Sequence, residues 1–232
     1  MRTIDIALLG GFRCVRSGEH IMLPLGAQRL LALLAVQPDG VHRTMAGERL
    51  WPDSTRDRAA ANLRSALWRC AQAAEGMIDR SGRRLWLAPS VAVDLHRLTG
   101  RMSSPRATAG DVGWRCLVDG LGLELLPDWS DDWLVLERER WDQLRLHALE
   151  DLVTELLAEE RYPAALQAAL VAIAIEPTRE TAHRLVIQAH VAEGNAATAV
   201  KHYQRYRGLL SRELGVAPSP RMNQLIRPLL TT

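Results

Sequence analysis

Four polar residues recur at helical spacing in the first third of the chain, at Arg58, Asn62, Ser65 and Arg69. At about 100° per residue, this spacing places them in one stripe on the side opposite an apolar face. That apolar face consists of Ala59, Ala60, Leu63, Ala66, Leu67 and Cys70. A guanidinium can donate two hydrogen bonds to guanine, and an asparagine amide can pair with adenine in the same way. The stripe therefore has the chemistry needed to read a DNA major groove, although a merely solvated helix face would have the same composition.

Further arginines near this stripe favour contacts with phosphate groups. Arg64 flanks the stripe on the same helix, as does Trp68. Arg56 falls at the predicted N-terminus of the helix, where an anion is favoured. Arg83 and Arg84 follow a Ser-Gly turn signal. We expect these last two arginines to touch the phosphate backbone or the minor groove of a duplex.

Three helices are predicted to hold the stripe in place. Their apolar residues recur at helical spacing, and proline, glycine or a capping residue marks most of their ends. The predicted helices are Ala27–Val36, Met45–Leu50 with Thr44 as its N-cap, and a third that begins at Ser54 or Thr55 and runs to about Ala74.

Short alternating segments flank these helices and predict β-structure. Three antiparallel strands are expected before them, at residues 4–9, 12–15 and 21–23. A hairpin is expected after them, with strands at residues 77–80 and 83–87. Sheet, three helices and hairpin is the element order of a winged helix-turn-helix with an additional N-terminal sheet.

The second half of the chain is predicted to be almost entirely helical. A comparison of the chain with itself at an offset of 34 residues aligns Ala148 with Ala182 and Ala165 with Ala199, which is the tetratricopeptide period. An ordinary amphipathic bundle is the alternative. The predicted helices are Trp133–Glu160, Pro163–Ile175, Glu180–Glu193, Ala196–Leu214 and Arg221–Leu229.

Charge and turn residues divide the chain into two parts. Residues 1–100 hold 14 Arg and 9 acidic residues, a net charge of +5, whereas residues 101–232 have a net charge of −3. The segment Arg101–Gly113 is the best candidate for the boundary loop. We therefore expect a winged helix domain at residues 1–95 and a helical domain at residues 96–232.

Enzymatic, metal and cofactor sites are not expected. The chain has no phosphate-binding glycine motif, no nucleophile motif and no CxxC pair. Its seven histidines are scattered, and the pair His183 and His190 lacks further ligands. The three cysteines are expected to be small buried residues in a reducing compartment. No apolar run approaches the length of a membrane span, so we expect a cytoplasmic protein without membrane contact.

Long segments of the chain resemble the Streptomyces antibiotic regulatory protein family. Its members join an OmpR-type winged helix to a bacterial transcriptional activator domain of tetratricopeptide-like helices. The most specific match ends in ELGVAPSP at Glu213–Pro220, and the resemblance is to a small family member of two domains. The segments that carry the resemblance are residues 27–41, 58–69, 123–152 and 161–220.

The resemblance implies a function. Such proteins bind direct repeats in promoters, recruit RNA polymerase holoenzyme and commonly activate antibiotic or other secondary-metabolite gene clusters. Carried over to this chain, the recognition helix is Thr55–Ala74 and the wing is Arg80–Arg84. The polymerase-facing loop is Trp51–Ser54, with Trp51, Asp53 and Ser54 as contacts. Self-association on tandem repeats is expected to strengthen binding.

Two other functions fit the same residues. An interaction adaptor would use the helical repeats to hold a protein or peptide, with the winged helix as a docking piece. A transcriptional repressor would bind DNA through the same stripe.

Overall fold

The computed structural model describes residues 4–102 and 111–230, and it confirms the expected fold class: mostly helical, with a small β part. The strands are β1 (Ile4–Ala7), β2 (Arg13–Arg16), β3 (Glu19–His20), β4 (Val41–His42), β5 (Ile78–Ser81), β6 (Arg84–Leu87) and β7 (Val91–Val93). The helices are α1 (Leu25–Val36), α2 (Arg43–Leu50), α3 (Arg56–Ala73), α4 (Asp94–Met102), α5 (Asp111–Leu121), α6 (Trp133–Ala158), α7 (Tyr162–Ile175), α8 (Glu180–Ala192), α9 (Ala196–Glu213) and α10 (Pro220–Leu230).

The chain forms two compact units. The first consists of Met1–Ser104 and Leu123–Trp141, and the second of Pro105–Gly122 and Asp142–Thr232. The expected division between residues 95 and 96 falls inside α4, which packs on β1 and β7 of the first unit. The division into domains at that point therefore stays a prediction. Most of the expected boundary loop at 101–113 lies outside the described residues.

The N-terminal sheet has four strands in the order β3-β2-β1-β7. β1 and β2 pair antiparallel, as predicted, but the third strand is Glu19–His20 rather than residues 21–23. The fourth strand, β7, pairs parallel to β1, with Ile4 opposite Val91. This pairing depends on a contact between residues far apart in the sequence, which a local pattern does not reveal.

Helices α1, α2 and α3 pack together into a three-helix core. The wing hairpin of β5 and β6 packs against this core. Buried leucines of α1, α2 and α3 pack together with Leu85 of β6. The predicted cap of α2 was wrong: His42 Nδ1, not the Thr44 side chain, accepts a hydrogen bond from the Thr44 backbone N–H at 3.4 Å. The cap of α3 is Thr55, one of the two predicted residues, whose hydroxyl accepts from the Arg58 N–H.

Gly40 makes the tight connection between α1 and β4. Its φ is +76°, in the left-handed region that favours glycine. A Cβ at this position would lie 2.8 Å from the Leu85 carbonyl oxygen. Any larger residue would therefore push β6 away from β4 and move the wing.

A segment from the second half of the chain completes the first unit. The Gly10 N–H donates to the Glu124 carbonyl at 2.7 Å, and the Leu126 N–H donates to the Leu8 carbonyl at 2.9 Å. Leu126 is fully buried and has a φ of +47°, which is costly for a leucine. The Arg138 guanidinium stabilises this turn because it donates to the carbonyl oxygens of Leu125, Leu126 and Trp129.

Side chains of the same segment anchor it to α1. Asp131 forms an ion pair with Arg29 Nε at 3.0 Å, and its side chain is almost fully buried. The Gln37 amide donates to Glu137 at 2.8 Å. Trp133 packs against the three-helix core. Residues 123–141 therefore belong to the hydrophobic core of the first unit rather than forming a free linker.

The second unit is a stack of paired helices. α7 packs on α8, and α8 packs on α9. Alanines fill the interior face of α7, including Ala165 and Ala172, which are buried. Small side chains at these positions let neighbouring helices approach closely, as the tetratricopeptide-like pattern predicts. The helices α4 and α5 were not predicted.

Two histidines form a hydrogen-bonded pair in the second unit. His183 Nε2 lies 2.9 Å from the Pro177 carbonyl oxygen and therefore carries a hydrogen. His183 Nδ1 is then an acceptor, so His202 Nε2, at 2.9 Å, donates to it. His183 also stacks on the Tyr206 ring. His183 thus pairs with His202 rather than with His190, and no group of three or more ligand residues in the described parts of the chain could hold a metal.

Burial keeps this histidine pair neutral. Desolvation, and to a smaller extent repulsion from His183, lowers the pKa of His202 from 6.5 to about 4. Desolvation also lowers the pKa of His183. The unfolded chain therefore takes up these protons at a higher pH than the folded chain does.

We predict that Arg138→Met destabilises the first unit by about 2–4 kcal/mol, because three carbonyl groups lose a charged donor. Arg140→Met is the matched control, since Arg140 is exposed and, among the described residues, forms an ion pair only with Glu137 on its own helix. Its effect should stay within about 0.5 kcal/mol. Urea unfolding of both variants measures the difference, and equal midpoints would contradict the role given to Arg138.

We predict that the protein loses stability as the pH falls from about 6.5 to 4, the window between the unfolded and folded pKa values of His202. His202→Gln should reduce this loss, because the glutamine amide still donates to His183 but takes up no proton. His147→Gln, at an exposed histidine of the same unit, is the control. Urea midpoints at pH 7 and pH 5 test this, and an unchanged pH dependence in His202→Gln would count against it.

Candidate nucleic-acid interface

Helix α3 presents one buried face and one exposed face, close to the sequence prediction. Ala59, Leu63, Ala66, Leu67 and Cys70 are buried. Ala60, which the sequence places on the core face, is only half-buried. Its backbone position turns it toward the edge of the helix, where it lines the surface cavity described below.

The predicted polar stripe lies largely in solvent. Arg58, Ser65 and Arg69 are exposed, whereas Asn62 is half-buried. Arg69 rests over the Trp68 ring, 4.9 Å from its centroid, and Trp68 is 54% exposed. An exposed tryptophan beside a guanidinium is a large flat surface that is suited to lie against a partner.

Buried cysteines anchor α3 and the N-terminal sheet. The Cys70 thiol lies 3.9 Å from the Ala27 carbonyl oxygen on α1. Burial raises the pKa of Cys70 to about 12 and that of Cys14 to about 11, so both are neutral packing residues. Cys116 is exposed, which corrects the expectation that all three cysteines are buried.

The wing is fixed to α2 by strand pairing and one backbone hydrogen bond. β4 pairs antiparallel with β6, so that Val41 lies opposite Leu85 and His42 opposite Arg84. The next residue, Arg43, donates its backbone N–H to the Arg83 carbonyl at 2.8 Å. Since β4 leads directly into α2, these contacts hold the tip of the wing beside the start of α2.

A basic cavity opens where α2, α3 and the wing meet. Its volume is about 470 Å³. Four arginines line it: Arg43 from α2, Arg56 and Arg64 from α3, and Arg83 from the wing. The carboxylates in its lining are those of Glu48 and Asp57. The cavity therefore carries an excess of positive charge.

The structure brings together three of the predicted DNA-binding residues and separates others from them. Arg56, Arg64 and Arg83 line the basic cavity, whereas Arg58, Asn62, Ser65 and Arg69 lie outside it. Arg84 is exposed on the wing. On an ideal helix the mean directions of the two sets of α3 residues differ by about 170°.

The sequence prediction did not include Arg43 among the DNA-binding residues, although its position in α2 gives a signal. Arg43 is the first residue of α2, and no acidic residue occupies that turn. A positive charge there is unfavourable for the helix dipole. A cation at such a position is therefore a candidate for binding an anion from outside.

Only one short-range ion pair holds a cavity arginine in the described residues. Arg56 Nη2 lies 3.4 Å from Glu48 Oε1, with both side chains exposed. Exposed pairs of this kind contribute about 0–1 kcal/mol. A phosphate could therefore displace Glu48 at little cost.

The loop between α2 and α3 contains the residues predicted to face RNA polymerase. Trp51 is half-buried and packs against the three-helix core. Ser54 is also half-buried, and its backbone N–H donates to the Trp51 carbonyl at 3.1 Å. Asp53 is exposed. Of the three residues, Asp53 is thus the most accessible to a partner.

Comparison with known proteins decides the family. A family model described as "Bacterial transcriptional activator domain" matches residues 115–230, half of the chain. The chain belongs to the bacterial transcriptional activator domain family. No curated protein sequence matches it.

A solved structure of another protein shares the fold of this chain. It is Mycobacterium tuberculosis EmbR in complex with a low-affinity phosphopeptide, with a TM-score of 0.79 and 19% sequence identity. The match covers 100% of this chain and 66% of that one, so the chain spans slightly less than two thirds of EmbR. The family match and the shared fold together confirm the predicted architecture of the Streptomyces antibiotic regulatory protein family. The family is one of transcriptional regulators.

The described parts of the chain contain no helix that could span a membrane. Across residues 4–102 and 111–230, no helix combines the length and the apolar character that crossing a bilayer requires.

Proposed function

We propose that the protein is a sequence-specific DNA-binding transcriptional activator. The observation that carries this proposal is the basic cavity, in which four arginines from α2, α3 and the wing converge on one surface. Three separate elements contribute to a single positive surface beside an exposed helix. Such a surface suits a duplex, because the phosphates of both strands flank the groove that the helix enters.

The arginines around the basic cavity and the exposed residues of α3 take different roles in this proposal. Arg43, Arg56 and Arg83 bind phosphates on one side of the groove, together with Arg84 on the wing. The exposed face between the edges of α3 enters the major groove. Base edges are contacted from that face by Arg58, Asn62, Arg64, Ser65 and Arg69.

The family resemblance supports proposing further partners besides DNA. The protein binds promoter direct repeats, with self-association on tandem sites, and recruits RNA polymerase holoenzyme through the α2–α3 loop. Trp51 and Ser54 shape this loop, and Asp53 contacts the polymerase. The regulated genes form a secondary-metabolite cluster, and the protein acts in the cytoplasm on the nucleoid. It needs no cofactor and is not an enzyme.

Two double variants test whether the cavity arginines bind phosphates and whether Arg58 and Arg69 read bases. We predict that Arg56→Ala with Arg83→Ala, and Arg58→Ala with Arg69→Ala, each weaken binding, by about 1–3 kcal/mol for every arginine that reads a base. Arg13→Ala, at an exposed residue of the N-terminal sheet, is the control. The measurement is a gel-shift titration with duplexes that the unmodified protein selects from a random pool.

The outcomes separate the two roles. Loss of affinity for all duplexes in the first variant, together with changed sequence preference in the second, supports the assignment. Unchanged affinity in the second variant would refute base reading by Arg58 and Arg69. Absence of any selected duplex would refute DNA binding itself.

Activation is tested with Asp53→Ala. We predict unchanged DNA affinity and reduced transcription, because Asp53 is exposed on the loop and lies outside the basic cavity. A reporter driven by a selected site gives the readout, and Asp39→Ala, at another exposed acidic residue, is the control. A rise in transcription with the intact protein removed would identify a repressor instead.

A further inference from the structure

The second unit contains a groove that the DNA-binding proposal does not use. Three helices line it, α6, α8 and α10, and its volume is about 420 Å³. Leu185, which is buried, and Leu225, which is half-buried, form its apolar part. The size falls within the range of ordinary ligand sites.

Ion pairs and hydrogen bonds hold the walls of this groove. Arg179 of the α7–α8 connection makes two hydrogen bonds to Glu150 of α6, at 2.6 and 3.0 Å. The Ser219 N–H donates to Glu180 at 2.8 Å and thereby ties the start of α10 to α8. The groove is therefore largely preformed, which limits the entropy that a ligand must lose on binding.

The groove has an excess of unpaired positive charge. Arg184 of α8 and Arg221 of α10 both line it. Within the described residues, neither guanidinium forms an ion pair with a carboxylate. Asp151 is the lining carboxylate left after Arg179 neutralises Glu150. Arg221 also lies in the first turn of α10, where the helix dipole favours an anion.

We propose that this groove binds an acidic peptide segment of a protein partner. The two guanidiniums hold a carboxylate side chain, since arginine forks match carboxylate geometry. The Thr154 hydroxyl, which donates to the Glu150 carbonyl oxygen at 2.9 Å, accepts a hydrogen bond from the peptide backbone. The Gln188 amide, which also lines the groove, hydrogen-bonds to the peptide backbone as well. The leucines accept a neighbouring apolar side chain. This combination of a charged, a polar and an apolar surface favours a peptide over a small free acid.

A peptide-display experiment on the full chain tests the proposal. Random nonapeptides are selected on the protein, and the strongest synthetic peptide is titrated by fluorescence anisotropy. We predict selected peptides with an acidic residue next to an apolar one. Binding should weaken about ten-fold or more in Arg184→Gln with Arg221→Gln, because both charged hydrogen bonds are lost. Arg207→Gln, at an exposed arginine of α9, should have no effect.

A second variant changes affinity in the opposite direction. Asp151→Asn removes the like charge from the groove, so it should tighten binding of the acidic peptide by about two- to five-fold. A misfolded protein cannot produce this result. The variant therefore keeps the test decisive if the double arginine variant fails to fold.

Four outcomes would overturn the proposal. The first is that no peptide is selected. The second is that the double arginine variant, folded by circular dichroism, binds the peptide as tightly as the unmodified protein. The third is that citrate binds the groove while no peptide does, which would identify a small-acid site. The fourth is that the double variant loses affinity for duplex DNA, which would make the two arginines DNA contacts.

Discussion

The pairing of β4 with β6 is the constraint on which the candidate interface depends. Only two residue pairs join these strands, Val41 with Leu85 and His42 with Arg84. Because β4 runs directly into α2, this short ladder fixes the wing relative to the helices. Gly40 permits the close approach, since a Cβ there would meet the Leu85 carbonyl oxygen. The basic cavity exists because these contacts bring Arg83 next to Arg43, and both next to α3.

The first unit is larger than its local sequence pattern indicates. The family model begins at residue 115, yet residues 123–141 pack within the first unit. Buried Leu125 and Leu126 and the Arg138 guanidinium make this segment part of the core. A boundary drawn from sequence families is therefore not the boundary of the packed unit. A fragment that ends at residue 95 lacks contacts that hold α1, whose arginine pairs with Asp131.

Amphipathic periodicity predicted the helices well, but it carries no signal for strands that pair with residues far away in the sequence. The bounds of α3, α7 and α8 differ from the predicted ones by one or two residues, because buried apolar side chains recur at the helical period. β7 was missed because its three residues are stabilised by β1, almost ninety residues earlier in the chain. α4 was missed for a similar reason. Its first residue, Asp94, accepts hydrogen bonds from the Leu8 and Leu9 backbone N–H groups, contacts that only the tertiary structure reveals.

The candidate site was predictable in composition but not in arrangement. A helical wheel identifies which α3 residues avoid the core, yet it does not show that Arg56 and Arg64 face the wing while Arg58 and Arg69 border the other edge. That distinction depends on where β6 lies, and so on a strand pairing between residues more than forty positions apart. The partnership of His183 with His202 likewise depends on how α8 packs on α9.

The salt dependence of DNA binding tests the central claim most directly. Each phosphate contact releases counterions, so the logarithm of the association constant should fall linearly with the logarithm of salt concentration, and loss of one contact should reduce the slope by about one. For a selected duplex, the account predicts a steep slope that becomes shallower in Arg83→Ala. Absence of binding at low salt, or an Arg83→Ala slope equal to that of the unmodified protein, would contradict it.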